Sequence, residues 1–124
     1  NLCTLNLLQG TSNMPQEKNA ILFIEDDDLP GKDTLDEFGR NLVSSLAVIK
    51  NVKGLVIGRF QKKSFAEKKK LISLIKNITE SKSIPVIADA NFGHTSPQFS
   101  FPIGGKVIID SQHEGVKITI YEKI

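Results

Sequence analysis

Apolar residues along this 124-residue chain fall into two kinds of pattern. Short unbroken runs, Ile21-Leu22-Phe23-Ile24, Gly54-Leu55-Val56-Ile57-Gly58 and Ile84-Pro85-Val86-Ile87, read as buried strands. Between them the apolar positions recur every three or four residues, which marks one face of a helix. Leu35, Phe38, Leu42, Leu46 and Ile49 form the first such face, and Leu71, Leu74, Ile75 and Ile78 the second. Each helix is preceded by a capping-box sequence, Thr34-Leu35-Asp36-Glu37 and Ser64-Phe65-Ala66-Glu67. Gly39 is expected to weaken the first slightly. Residues 2–9 predict a short helix stopped by Gly10, and residues 11–19 a loop. The strands are predicted over 20–25, 54–58 and 84–88, with Pro85, which lacks an amide proton, at the start of the third.

Near the end, Val107-Ile108-Ile109 and Val116-Lys117-Ile118-Thr119-Ile120-Tyr121 flank the turn-forming Asp110–Gly115 and predict an antiparallel hairpin. Three strands alternating with helices imply an α/β fold: a small three-layer domain with a mainly parallel sheet flanked by helices and a C-terminal β-hairpin extension. Length and a hydrophobic content of 40% suit a single domain over residues 1–124.

Charge narrows the classes of function. Sixteen basic and fourteen acidic residues leave a net charge of +2, so no global field calls for nucleic acid or an anionic membrane. Lys62-Lys63 and Lys68-Lys69-Lys70 read as solvated faces beside or on the second helix. No apolar run approaches the ~18 residues of a membrane span. A lone cysteine, Cys3, cannot form an internal disulfide and points to a reducing, cytoplasmic compartment. The opening Asn1, with amphipathic sequence already under way, reads as a piece of a longer protein or a processed terminus.

The polar residues at strand ends carry the candidate chemistry. Glu25 ends the first strand, and His94 follows Gly93 in the loop after the third. Parallel strands bring both to one sheet edge, where open α/β sheets place ligands. The imidazole could act as general base, with a carboxylate accepting its Nδ1 proton. Spacing does not choose between Glu25 and Asp26 for that role. No serine lies in a G-x-S-x-G elbow, so a nucleophile is missing. Arg59, at the end of the second strand, could hold a substrate carboxylate or phosphate. Asp26-Asp27-Asp28 reads as a solvated acidic turn rather than a cation site, and no pattern in the chain calls for a metal or cofactor. His113 reads as a solvated turn residue and Cys3 as a buried thiol.

Six fragments in order resemble the serine peptidase family of LD-carboxypeptidases and microcin C immunity peptidases, over its C-terminal domain. They are Asn1-Leu2-Cys3-Thr4-Leu5 with Gly10-Thr11; Ile21–Asp26; Arg40-Asn41-Leu42; Gly54–Phe60; Ile84–Ile87; and Phe92-Gly93-His94-Thr95-Ser96-Pro97 with Phe101-Pro102-Ile103-Gly104-Gly105. Gly58-Arg59-Phe60-Gln61-Lys62-Lys63 and Gly93-His94-Thr95 look closer to the microcin-immunity branch. The resemblance implies a Ser-His-Glu triad in which His94 is the general base and Glu25 orients it. The serine and its oxyanion hole belong to an N-terminal domain of the same protein, so the fragment alone is expected to be inactive and to expose the face that meets that domain. Arg59 and Asp26 are candidate substrate contacts. The immunity branch cleaves the amide joining an aminoacyl or peptidyl group to a nucleotide-like moiety, and the other branch trims murein tetrapeptide. Neither uses a metal or cofactor, and family members tend to form homodimers. Two competing expectations stand beside this one. Ile21–Asp27 and Ser83–Ile87 resemble a response-regulator receiver, although Gly58-Arg59-Phe60 stands where that family has its phosphate-accepting aspartate. Alternatively, the domain is a scaffold whose histidine is structural.

Overall fold

The structure is a computed structural model that describes residues 1–27, 34–61, 67–112 and 114–121. A one-and-a-half-turn helix, α1 (Leu2–Asn6), leads through turns into β1 (Ile21–Ile24). There follow α2 (Thr34–Val48), β2 (Gly54–Gly58), α3 (Lys68–Thr79), a 3-10 turn at Glu80–Lys82, and β3 (Val86–Ala90). The chain closes with β4 (Lys106–Asp110) and β5 (Lys117–Tyr121).

β1, β2 and β3 form a parallel sheet in that order, with Ile21 beside Gly54 and Leu55 beside Val86. The central strand is buried along its whole length, as its uninterrupted apolar sequence requires. Leu22 and Ile24 of β1 and Leu55 and Ile57 of β2 meet Leu35, Phe38, Leu42 and Leu46 of α2 and Leu71 and Ile75 of α3. Burying each such side chain contributes about 1.5–3 kcal/mol. All three helices share this core, because Leu2 of α1 joins the same cluster. The opposite face carries Phe23, which stacks on Phe92 and Phe101.

Both predicted helix faces are the buried faces. Lys68, Lys69 and Lys70 are exposed on α3, and Lys70 pairs with Glu67 at 3.3 Å. Thr34 opens α2 and is itself buried; Ser64, Lys62, Lys63, Asp28 and His113 lie outside the described residues. Gly39, which intrinsic propensity disfavours, has a packing reason: a Cβ there would come within 2.8 Å of Leu74 Cδ1 on α3.

Four details differ from the sequence reading. α3 starts at Lys68, with Glu67 as an extended N-cap whose side chain makes no capping hydrogen bond, so Glu67 does not play the part the second capping box gave it. α1 stops at Asn6 rather than residue 9; its start is capped by the Asn1 side chain, which accepts from Thr4 N at 2.9 Å. β3 runs two residues later than expected. Pro85 precedes it and contributes only its carbonyl, to Leu55 N at 3.0 Å. The pairing slips between Val56/Ile87 and Gly58/Ala90, and Asp89 takes φ 61° there. That is a bulge, a device that bends a strand and re-aims the residues beyond it. The hairpin pairs Lys106 with Tyr121 through Asp110 with Lys117 as a separate two-stranded sheet. It satisfies its own ladder instead of extending the parallel one. Among the described residues no helix is long and apolar enough to cross a membrane.

Candidate active site

β1 and β3 deliver their polar ends to the same edge. Glu25 follows the last residue of β1 and is buried, with its side chain 8% exposed. A carboxylate so far from water needs partners. His94 supplies one: its Nδ1 lies 2.7 Å from Glu25 Oε2 across a separation of 69 residues. The backbone nitrogen of Asn1 supplies another, 3.2 Å from Oε1. A carboxylate can only accept, so the proton of the pair sits on Nδ1 and donates to Oε2, leaving the Nε2 lone pair as a base. The imidazole is about half exposed, at 47%. The strand-end expectation for Glu25 and His94 therefore becomes a direct contact, and it is Glu25, not Asp26, that meets the ring.

Two glycines make room for this contact. Gly93 has φ 96°, and a Cβ on it would stand 2.7 Å from Glu25 Oε2 and 2.9 Å from Cγ. At Gly58, the end of β2, a Cβ would meet the Phe92 carbonyl oxygen at 2.7 Å and Glu25 Cβ at 2.9 Å. The histidine loop thus lies directly on Glu25 and on the end of β2.

The loop is also tied to β2 by hydrogen bonds. Arg59 N donates to Ala90 O at 3.2 Å. The Arg59 guanidinium donates through Nη2 to Pro97 O at 2.9 Å, while its Nε is buried without a hydrogen-bond partner among the described residues. Gln61 Nε2 donates to His94 O at 3.0 Å. Arg59, expected as a substrate contact, thus spends part of its fork on the loop. Gln61 stood in the sequence only within the Gly58–Lys63 fragment, and nothing in its local pattern announces a partner 33 residues away.

Asp26 and Asp27 extend the acidic end of β1. Asp26 is buried, whereas Asp27 is exposed. Asp26 Oδ1 accepts from Asp27 N at 3.0 Å, and Oδ2 makes no hydrogen bond of standard geometry among the described residues. Burial, chiefly, pushes the Asp26 carboxyl up to about 6, and proton sharing with Asp27 adds to this while the Asp27 amide opposes it. Burial also works against Asp27, but hydrogen bonds from Asn1 and Asp26 hold it below the ordinary carboxylate value. Cys3, expected to be buried, is partly exposed because α1 turns only Leu2 fully into the core, and its Sγ lies 4.0 Å from Glu37 Oε1. Burial, then the carboxylates of Glu37, Asp26 and Asp27, raise its thiol and keep it protonated, which is the wrong direction for a nucleophile.

The Asp26 shift has a consequence for stability. The folded protein binds this proton more tightly than the unfolded chain, whose aspartate titrates near 3.8. Its contribution is therefore fully favourable below about pH 4 and lost as pH rises through about 6. Asp26→Asn keeps an acceptor for the Asp27 amide and removes the buried charge. It is expected to raise stability by on the order of 2 kcal/mol above pH 7, with the gain vanishing below pH 4. Denaturant melts of both proteins from pH 4 to 8 check this; a gain independent of pH would contradict it.

Beside Glu25 opens a groove of about 610 Å³, lined by Phe23, Phe92, Phe99 and Phe101 and by Val107 and Ile120 of the hairpin. Its rim is apolar and open: Phe99 is 39% and Ile103 98% exposed.

The sequence pattern of the LD-carboxypeptidase C-terminal domain matches residues 1–109. The chain belongs to the LD-carboxypeptidase family. The Microcin C7 self-immunity protein MccF of Escherichia coli is 28% identical over 96% of this chain and 35% of its own length. YocD of Bacillus subtilis (strain 168), named as a carboxypeptidase, is 43% identical over 90% of this chain and 34% of its own. The crystal structure of an MccF-like protein from Bacillus anthracis str. Ames superposes with a TM-score of 0.85 and 48% identity, over 96% of this chain and 37% of that one. A muramoyltetrapeptide carboxypeptidase from Oxalobacter formigenes gives 0.77 and 26%, over 98% and 43%. This LD-carboxypeptidase-family chain therefore spans about a third of the length of the curated relatives it matches. The receiver-type reading is set aside, since the family match runs through the very strands on which it rested.

Proposed function

We propose that this chain supplies the histidine and glutamate of a Ser-His-Glu triad whose serine comes from an N-terminal domain of the same protein. The observation that carries the proposal is the 2.7 Å contact between His94 Nδ1 and the buried Glu25 Oε2. In the reaction, His94 Nε2 takes the hydroxyl proton as the serine oxygen attacks the substrate amide carbonyl. It returns that proton to the leaving nitrogen as the C–N bond breaks, and then activates a water to hydrolyse the acyl-enzyme. Glu25 keeps the proton on Nδ1 and stabilises the imidazolium as it forms.

Arg59 retains N–H groups beyond the one given to Pro97, enough to meet a substrate carboxylate or phosphate. Asp26, next in the chain to Glu25, is the second proposed substrate contact, through the carboxyl oxygen Oδ2 that has no hydrogen-bond partner among the described residues. The exposed Ile103 and Phe99, together with the relatives' greater length, support a partner domain covering the apolar rim.

The substrate we favour is an amide between an aminoacyl or peptidyl group and a nucleotide moiety. Similarity to an MccF-like structure at 48% supports this. The second reading, removal of a terminal residue from murein tetrapeptide, is supported by the likeness to a muramoyltetrapeptide carboxypeptidase structure at 26% identity. Initial rates of the full-length parent on an aminoacyl-sulfamoyl adenosine and on the tetrapeptide decide between them. Turnover of the conjugate is expected; turnover of the tetrapeptide alone would move the protein to the other branch, and turnover of neither would overturn the reading.

A further inference from the structure

The end of β2 does more than border the histidine loop. Phe60 packs edge-on against Phe38, ring centroids 5.2 Å apart, and Phe38 is fully buried at the centre of the core. That contact fixes the backbone just after Arg59 and just before Gln61. From this anchored stem two side chains reach the loop. Arg59 grips the carbonyl of Pro97 at 2.9 Å, and Gln61 grips the carbonyl of His94 itself at 3.0 Å. The far side of the loop closes on itself, with Phe99 N donating to Asn91 O at 2.9 Å.

The Glu25–His94 bond controls only the Nδ1 end of the ring. It leaves the backbone of residue 94 free to tilt about that bond, and a tilt moves Nε2 by the full width of the imidazole. Fixing the carbonyl of the same residue removes that freedom. The neighbouring Gly93, at φ 96°, adds little stiffness of its own.

We infer that Gln61 is a positioning residue: its side-chain amide holds the His94 carbonyl, and through it sets the direction of Nε2. The inference deepens the triad reading and rests on it for its effect on rate. Removing the donor should reduce the chemical step and leave substrate binding in place, because misplacement of a base by about 1 Å costs up to ~10²-fold in rate.

The experiment uses the full-length parent with Gln61→Glu, which keeps the size and loses the donor, and Gln61→Lys, which restores one. Steady-state kinetics on the substrate the wild type turns over is expected to give a kcat about 10–100-fold lower for Gln61→Glu, with KM changed less than about twofold and substantial recovery in Gln61→Lys. A loss confined to KM, or equal losses in both variants, would overturn the inference. A second readout does not depend on turnover. The solvent-exchange rate of the His94 Nδ1–H proton, followed by NMR, should rise in Gln61→Glu and return towards wild type in Gln61→Lys. An unchanged exchange rate overturns the inference whether or not the protein is a peptidase. Failure of the triad reading looks different: His94→Ala would then keep a rate in proportion to its folded fraction.

Discussion

Replacing His94 by alanine in the full-length parent is expected to lower kcat/KM by at least ~10⁴-fold, because a serine hydroxyl without a base is a poor nucleophile and the leaving nitrogen departs unprotonated. Glu25→Gln is the sharper companion. It preserves size and the 2.7 Å contact but offers the ring a donor where it needs an acceptor, and so selects the tautomer with its proton on Nε2. A fall of ~10³–10⁴-fold in kcat with little change in KM is expected. If His94 were only structural, both variants would lose stability and keep a rate in proportion to the folded fraction. Parallel melts and kinetics separate the two outcomes.

The second large effect is at Gly93. Alanine there must adopt φ 96°, which L side chains rarely do, and must place its Cβ where Glu25 Oε2 and Cγ now stand. The backbone strain is about 1–3 kcal/mol, but the clash is the greater harm. Glu25 is packed against Gly58 on its other side, and any retreat into the groove would draw Oε2 away from His94, so whether the loop lifts or the carboxylate moves, the pair is disturbed. We expect Gly93→Ala to lose ~10²-fold or more in kcat/KM. Gly115→Ala is the control: it has a similar φ of 101° in the hairpin turn, with nothing within 4 Å of the added Cβ. It should pay a comparable backbone penalty in its melting temperature and leave the rate unchanged. Equal rate losses at the two glycines would mean that global destabilisation explains both.

These effects trace to features of unequal visibility in the sequence. The three strands and both long helix faces were legible because each depends on a local period, and burial followed that period at Leu35, Phe38, Leu42 and Leu46. Glu25 and His94 were legible as strand-end polar groups and through the family's motifs. Choosing Glu25 over Asp26 by geometry needed the fold: the two adjacent acids are both buried, and only the register of β1 against the histidine loop decides which one meets the ring. The bulge at Asp89 was not legible, since an aspartate in left-handed conformation leaves no mark in a hydropathy pattern. Gly39 looked like a defect until α3 was in place. The hold of Arg59 and Gln61 on the loop joins residues 38 and 33 positions apart through backbone carbonyls, which every residue possesses. No residue type at the accepting end could have signalled it.

His94, oriented by Glu25, is proposed to activate a serine lying outside this chain. Labelling the full-length parent with a serine-reactive fluorophosphonate, and mapping the adduct by mass spectrometry in wild type and His94→Ala, tests it most directly. One rapidly formed adduct is expected in the wild type, on a serine outside these 124 residues, and its loss in His94→Ala. An adduct that forms as fast without His94, or one that maps within this chain, would contradict it.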